Sequence, residues 1–167
     1  MLYSTRAENP EDADVAALRE ALEALLRGVG MELVELGVFR GRAAKGGVQV
    51  RAVVYRPPSE GRAGMGTEDC ARAHRAIMPA LEGAFLDREL SLEVTTPGIN
   101  RRARDGAELA LYKGRGARCW RTDISGWAAG ILDEADAQGI TLKGKEGTIR
   151  LGYGIIAKAM LDPSQEG

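Results

Sequence analysis

The chain has 167 residues, of which 44% are apolar, and its formal net charge is −1. This length fits one ordinary domain or two small ones, and the apolar fraction excludes a disordered protein. The cysteines Cys70 and Cys119 form no C-x-x-C pair, and the single histidine, His74, cannot complete a zinc set with them. No stretch reaches the ~18 apolar residues of a membrane span. We therefore expect a cytoplasmic protein with reduced thiols, no metal and no membrane contact.

The first periodic segment predicts a helix followed by a hairpin. Apolar residues recur at helical spacing from Val15 to Val29, with acidic residues before them and glycines after them. Two alternating runs follow, MELVELGVF and VQVRAVVY, and the first places Val34, Leu36 and Val38 on one face. The glycine-rich basic loop RGRAAKGG lies between the runs. This pattern is typical of a β-hairpin with a long loop.

A second helix and a third strand complete the first half. Thr67 is a good N-cap, and two acidic residues follow it. Pro79 would cost about 3 kcal/mol inside a helix, so we expect the helix to bend or end near Met78. The run ELSLEVTTP then alternates, with Leu92 and Val94 on its buried face. The first half therefore predicts helix, strand, strand, helix, strand, with two helices on one face of a three-stranded sheet.

The second half changes to short β-like runs at spacings near ten residues. The five runs are GARCWRTDI, GWAAGILDEAD, GITLKG, TIRLGY and AKAMLD. This pattern predicts a small SH3-like or Sm-like barrel, in which Gly130 permits a sharp strand bend. The predicted fold class is α+β, with an α/β domain over residues 13–98, a linker over 99–106 and the barrel over 107–163.

The junction between the halves is punctuated and basic. In LEVTTPGINRR, Pro97 blocks further strand pairing and Gly98 permits a turn, for which type II is favoured. Residues 101–121 then contain seven basic and two acidic side chains, a local excess of +5. Such an excess is typical of a surface that meets nucleic-acid phosphate or an acidic protein, or of a solvated surface stretch.

Four strings resemble one known family. LEVTTPGINR is similar to the L-E-V-S-S-P-G-(I/L)-D-R signature of the ribosome maturation factor RimP family, and GMELVELGV, TEDCARAHRAI and TIRLGYGIIAKAMLDP resemble its other motifs in the same order. The resemblance spans about residues 13–163. The chain departs from the pattern at His74, Pro79, Asn100 and Arg102, and Arg102 stands where the pattern usually has proline. The interface around residues 100–102 is therefore expected to differ in detail.

The resemblance implies a monomeric, non-catalytic factor without cofactors. Such a factor binds immature or free small (30S) ribosomal subunits and assists their late assembly through contacts with rRNA and a small-subunit ribosomal protein. A general RNA-binding Sm-like module, unrelated to ribosome assembly, is the alternative. An enzyme is disfavoured because the sequence carries no Walker A pattern, no G-x-G-x-x-G and no credible triad.

Candidate interaction residues follow from charge and aromaticity. Arg101 and Arg102 contact rRNA phosphate, or clamp the two domains by pairing with Glu93 or Asp105. One tryptophan of the barrel is an exposed anchor, or both are core. The candidates for rRNA or protein contact are Arg40, Arg42, Lys45, Arg101, Arg102, Arg104, Trp120 and Trp127.

A second set of candidates forms the junction motif. We expect Arg75 to hold the TTPG loop through its carbonyls, and Thr95 and Thr96 to bond the backbone of the turn. The junction residues are Glu93, Thr95, Thr96, Pro97, Gly98 and Arg75. Cys70, at a helix start, has either a lowered thiol pKa or a packing role, and Cys119 is predicted to be core.

Overall fold

The computed structural model describes residues 13–41, 46–58 and 65–167. Within these residues the chain forms two compact units, 13–97 and 98–167. Among the described residues no helix combines the length and the apolar character needed to cross a membrane. Each unit has a sheet of its own, and the units are taken here in turn.

The first unit is the predicted layer of two helices and three strands. Its strand order is β1-β2-β3, in which β1 and β2 are antiparallel and β2 and β3 are parallel. The parallel pair is possible because a helix crosses between its two strands. The elements are α1 (Ala13–Arg27), β1 (Glu32–Arg40), β2 (Val48–Tyr55), α2 (Thr67–Ala84) and β3 (Leu90–Thr95).

The core of this unit lies between the helices and one face of the sheet. Leu22 and Leu26 of α1 and Ile77 of α2 are completely buried, and they share a cluster with Val50 and Val54 of β2. Alternate residues of a strand point to one face, so both helices cover the same side of the sheet. Burial of each such side chain contributes about 1.5–3 kcal/mol.

A β-bulge changes which residues of β1 reach this core. The pairing passes from Leu33 opposite Val54 to Glu35 opposite Val53, so β1 carries one extra residue at this point. Leu33 and Leu36 therefore belong to the core cluster, whereas Val34 is buried outside it. The prediction that Val34 shares a face with Leu36 and Val38 was wrong, because a bulge shifts the two-residue period of a strand.

Helix α2 differs from its prediction at both ends. Its N-cap is Gly66 rather than Thr67, and the Gly66 amide donates to the Asp69 carboxylate at 3.0 Å. The helix does not end near Met78 but continues through Pro79 to Ala84. Leu81 is completely buried two residues beyond the proline, and this packing offsets the backbone hydrogen bond that Pro79 cannot donate.

The second unit is one antiparallel sheet with three short helical segments. Its strand order is β4-β9-β5-β6-β7-β8, which runs from one edge to the other and is not closed within residues 98–167. All five predicted runs form strands. The elements are β4 (Arg102–Ala103), α3 (Gly106–Ala110), β5 (Gly116–Arg121), β6 (Gly126–Ala135), β7 (Gly139–Gly144), β8 (Gly147–Gly152), a 3₁₀ turn (Tyr153–Ile155), β9 (Ile156–Leu161) and a second 3₁₀ turn (Pro163–Gln165).

Two elements of this unit were not foreseen. The short strand β4 pairs with Met160 and Ala159 of β9, so part of the segment assigned to a linker joins the sheet. Helix α3 begins at an Asp105 cap, whose carboxylate accepts a hydrogen bond from the Glu108 amide at 2.8 Å. The D-x-x-E spacing of these two residues is a sequence signal for such a start.

Gly130 is required by a close approach of two strands. A Cβ at this position would lie 2.5 Å from the carbonyl oxygen of Lys143 on β7. The register shift of β6 falls later, between Leu132 and Glu134. The glycine therefore admits the neighbouring backbone, and the bulge lies two residues beyond the bend that the sequence suggested.

We expect Gly130→Ala to lower the free energy of unfolding of the second unit by about 1–3 kcal/mol, because the added methyl group must displace backbone. Gly154→Ala is the matched control, since a Cβ there meets no atom within 4 Å. Both tryptophans of the chain lie in this unit, so urea unfolding followed by tryptophan fluorescence reports on it. Equal midpoints for the two variants would contradict this account.

Candidate nucleic-acid interface

One face of the second sheet is polar because its strands alternate. Ala103, Ala117 and Cys119 are buried at 2% exposure or less. Successive side chains of a strand point to opposite faces, so Arg102 and Arg118 lie on the other side of the sheet. Burial raises the pKa of the Cys119 thiol to about 12. The prediction of a core cysteine at this position is confirmed.

The register brings the outward side chains of four strands into two rows. In one row Arg102, Met160 and Arg118 lie opposite one another on β4, β9 and β5. In the next row Lys158, Trp120 and Trp127 are aligned on β9, β5 and β6. We call this surface the basic–aromatic face and define it by Arg102, Arg118, Trp120, Trp127, Lys158 and Met160.

Trp127 is held in place by its neighbours on this face. Its ring meets that of Trp120 edge-on, with centroids 5.4 Å apart and an interplanar angle of 78°. The Arg118 guanidinium carbon lies 4.8 Å, and the Lys158 Nζ 5.1 Å, from the Trp127 ring centroid, within cation–π range. Trp127 nevertheless remains 41% exposed. The indole is therefore both ordered and accessible.

The cations of this face differ from most others of the unit. None of Arg102, Arg118 and Lys158 forms an ion pair with a residue that the structure describes. The paired cations lie elsewhere and are Arg101 with Glu108, Arg104 with Asp105, Arg115 with Glu166, Arg121 with Asp123, Lys143 with Asp133, and Arg150 with Asp136. The basic–aromatic face thus carries positive charge that no described carboxylate neutralises by contact.

Asp162 is the acidic group whose charge is felt by this face. Its carboxylate accepts hydrogen bonds from the hydroxyl and the amide of Ser164, at 2.6 and 3.2 Å. The Ser164 hydroxyl, and to a smaller extent the charge of Arg118, hold the pKa of Asp162 below its usual range. The face therefore has three cations and one anion at its border, and it stays positive on balance.

Arg101 is a structural residue of the second unit. Its Nε donates to Glu108 Oε1 at 2.8 Å and a terminal nitrogen donates to Oε2 at 3.3 Å. The Glu108 side chain is only 1% exposed, and it also accepts from the Arg104 amide and the Tyr112 hydroxyl. A buried carboxylate needs such partners, because its charge is no longer hydrated. Arg101 is thereby committed to the fold.

The junction forms a different turn from the one predicted. The Arg101 amide donates to the Gly98 carbonyl at 3.0 Å, so Ile99 and Asn100 are the central residues. Among the described residues positive φ occurs at Ser125 and three glycines, none of them within this turn. A type II turn around Pro97 and Gly98 was therefore the wrong prediction, because the turn lies one residue later and has none of the positive φ that a type II turn requires.

The other junction residues lie on the first unit. Glu93 pairs with Arg51 on the neighbouring strand at 3.3 Å, which is a cross-strand contact of β3 and β2. Thr95 and Thr96 are exposed. Arg75 lies exposed on α2 and makes no hydrogen bond to the described TTPG residues. A structural role of Arg75 through those carbonyls is not observed.

Arg75 instead lines an open pocket of about 350 Å³ with Cys70, Ala71, His74 and Val94. Desolvation by burial, and then the charge of Asp69, raise the pKa of the Cys70 thiol. The hypothesis of a lowered thiol pKa at this helix start was therefore wrong, and packing accounts for this residue. Within the described ranges, no three His, Cys, Asp or Glu side chains are grouped as a metal site.

The basic hairpin is described only in part. Arg40 is exposed at the end of β1, with its guanidinium carbon 5.8 Å from the Phe85 ring centroid. Arg42 and Lys45 lie outside the described residues. Of the predicted interaction residues, the structure therefore brings together Arg102, Trp120 and Trp127.

Comparisons with known proteins identify the family. The family model described as the RimP N-terminal domain matches residues 21–100. Proteins named ribosome maturation factor RimP from Borrelia turicatae and Borrelia hermsii are 29% and 28% identical over 133 residues, which cover 80% of this chain and 85% of each relative. The chain belongs to the RimP family.

A third relative, from Albidiferax ferrireducens, carries the same protein name. It is 32% identical over 119 residues, which are 71% of this chain and 58% of that longer protein. The matched RimP N-terminal model ends at residue 100, before the basic–aromatic face begins. The match to this family model therefore covers the first unit, and the face is described from geometry alone.

Two cations of the face, Arg118 and Lys158, were not among the interaction candidates from the sequence. Arg118 alternates in step with Trp120 in the run GARCWR, which is a usable signal. Lys158 had no local signal, because it joins the face only through the pairing of β9 with β5. Identifying cross-strand neighbours that are distant in the sequence requires the pairing register of the strands, and the composition does not give that register.

We expect Arg101→Ala to lower the free energy of unfolding of the second unit by about 3–5 kcal/mol, because Glu108 would stay buried without its cation. Arg102→Ala removes the same side chain from an exposed position, and its effect should be within about 0.5 kcal/mol. Urea titration followed by tryptophan fluorescence distinguishes the two. If both variants unfold at the wild-type urea concentration, the structural role of Arg101 is wrong.

Proposed function

We propose that this protein assists the maturation of the small (30S) ribosomal subunit by binding immature or free subunits, without catalysing a reaction. Its relatives are named ribosome maturation factor RimP, which supports a role in ribosome maturation. The basic–aromatic face is the surface that we propose for this binding, and its geometry is the observation that supports the proposal. Its unpaired cations and accessible indole suit rRNA, whose phosphates attract guanidinium and ammonium groups.

Binding alone is a sufficient mechanism for such a factor. A protein that binds one conformation of the rRNA more tightly than another shifts the population toward it, by as much as its differential affinity. The cations attract phosphate by releasing counterions, so binding weakens as salt rises. A protein contact of the second unit with a small-subunit ribosomal protein would add specificity. We propose that the factor acts as a cytoplasmic monomer.

The second unit fits an SH3-like or Sm-like barrel in its strand order. The last strand, β9, returns to pair with the first long strand, β5, and β5 to β8 form consecutive antiparallel pairs. A barrel of this class folds a meander back on itself in the same way. We also propose that the two units are separate domains. The boundary then lies at Pro97 and Gly98, because β4 already pairs within the second sheet.

The test is cosedimentation with separated ribosomal subunits at two salt concentrations. We expect enrichment on the small subunit that weakens as salt rises, because phosphate contacts release counterions. Arg102→Gln should weaken this binding and reduce the slope of log affinity against log salt by about 1. Arg101 is unsuitable for this purpose, since its loss perturbs the fold.

Lys145→Gln is the matched control for that variant. Lys145 is exposed and lies between β7 and β8, at the far edge of the sheet from β4. It removes the same charge away from the basic–aromatic face, so it should leave cosedimentation unchanged. Equal enrichment on both subunits, or a ring-shaped oligomer that binds RNA without subunit preference, would instead favour a general Sm-like RNA-binding module.

A further inference from the structure

We infer that the basic–aromatic face takes single-stranded RNA, with one base stacked on Trp127 and phosphates against Arg102, Arg118 and Lys158. This inference rests on the proposed function, and it adds the class of RNA and the residue that reads it. Two features of the face support it: an exposed, ordered indole, and unpaired cations that neighbouring strands hold in register.

The indole of Trp127 is the first feature. A tryptophan that is 41% exposed leaves a large apolar area in water. Its orientation is fixed by the edge contact with Trp120 and by the two cations near its ring. A base stacked on such a ring gains about 1–3 kcal/mol, and little ordering entropy is lost because the ring is already held.

The cations are the second feature. Arg102 and Arg118 lie in one row with a strand between them, which places their backbones about 10 Å apart. Lys158 lies in the adjacent row on the intervening strand. None has an ion-pair partner in the described part of the chain. An extended nucleic-acid backbone, which carries one negative charge per nucleotide, can contact all three cations.

The chemistry of the face distinguishes single strands from other anions. Bases in a duplex are stacked on one another, and side chains cannot read the deep, narrow major groove of A-form RNA. An acidic protein segment would satisfy the cations, but it would meet the indole only if it also carried an aromatic residue at the right spacing, whereas every nucleotide carries a planar base beside its phosphate. Unstacked bases on aromatic side chains, with the backbone along a positive surface, are the usual arrangement for single strands.

Trp120→Phe creates the reporter for the test. The chain has only two tryptophans, so this variant leaves Trp127 as the sole indole. We expect its fluorescence to be quenched when a ten-nucleotide single-stranded oligo(A) is added, and to change little with a duplex of equal length. A stacked base contacts the indole directly, whereas a duplex reaches only the cations.

Variants at the stacking position measure its contribution to affinity. Trp127→Ala should weaken oligo(A) binding roughly fivefold to 100-fold, the range expected from loss of one stacked base. Trp127→Phe retains a ring and should bind within about threefold of wild type. Lys158→Gln should weaken binding and reduce its salt dependence, whereas Lys145→Gln should do neither. Matching urea midpoints of the variants exclude unfolding as the cause.

The outcomes separate this inference from the proposed function. If the wild-type chain cosediments with small subunits but binds no single-stranded RNA, the inference is overturned and the proposed function stands. If duplex quenches Trp127 equally, or a polyglutamate peptide competes as well as oligo(A), the face is a site for another anion. If no small-subunit binding occurs while oligo(A) quenches Trp127, the proposed function fails and the RNA site remains.

Discussion

The second unit depends on one buried carboxylate. Glu108 is almost excluded from water, and its charge is tolerated only because Arg101, the Arg104 amide and the Tyr112 hydroxyl donate to it. These donors come from the residues around β4 and from Tyr112, two residues after α3, so the carboxylate holds the start of the unit in one arrangement. Arg102 follows Arg101 in the chain and enters β4, where pairing with Met160 directs its side chain to the outer face. The buried carboxylate of Glu108 therefore helps to set the position of the exposed Arg102 side chain.

The same strands supply both the core and the candidate interface. Along β5, Ala117 and Cys119 are buried while Arg118 and Trp120 face the other way, and pairing with β6 and β9 extends the division across the sheet. Because strand side chains alternate, a slip of one residue would exchange the two sets and bury the cations. Register is thus the property on which the face depends. The close backbone approach at Gly130 helps to fix it on the β6 side.

Periodicity predicted the longer helices and strands, and two of the main departures arise where distant residues decide. The order of helices and strands followed from local patterns, as did the buried residues of β2. The bulge before Glu35 and the continuation of α2 past Pro79 did not, because each is settled by packing against other elements. In the candidate interface, Trp127 and Arg102 were visible as residue types. Lys158 was not, since its neighbours Trp120 and Trp127 lie more than 30 positions away in the sequence.

Linear charge counting does not distinguish arginines that are paired with carboxylates from arginines that are not. Residues 101–121 carry a sequence excess of +5, yet Arg101, Arg104, Arg115 and Arg121 are paired with carboxylates. Phosphate must compete with the existing pair for such a cation, and drawing Arg101 away would leave Glu108 buried and uncompensated. Arg102 and Arg118 have no such pair to lose and would release counterions on binding phosphate. Arg102 is also where this chain departs from the proline usual in the junction motif. Arg102 therefore adds an unpaired positive charge to the surface, next to Arg101, whose charge is already paired with Glu108.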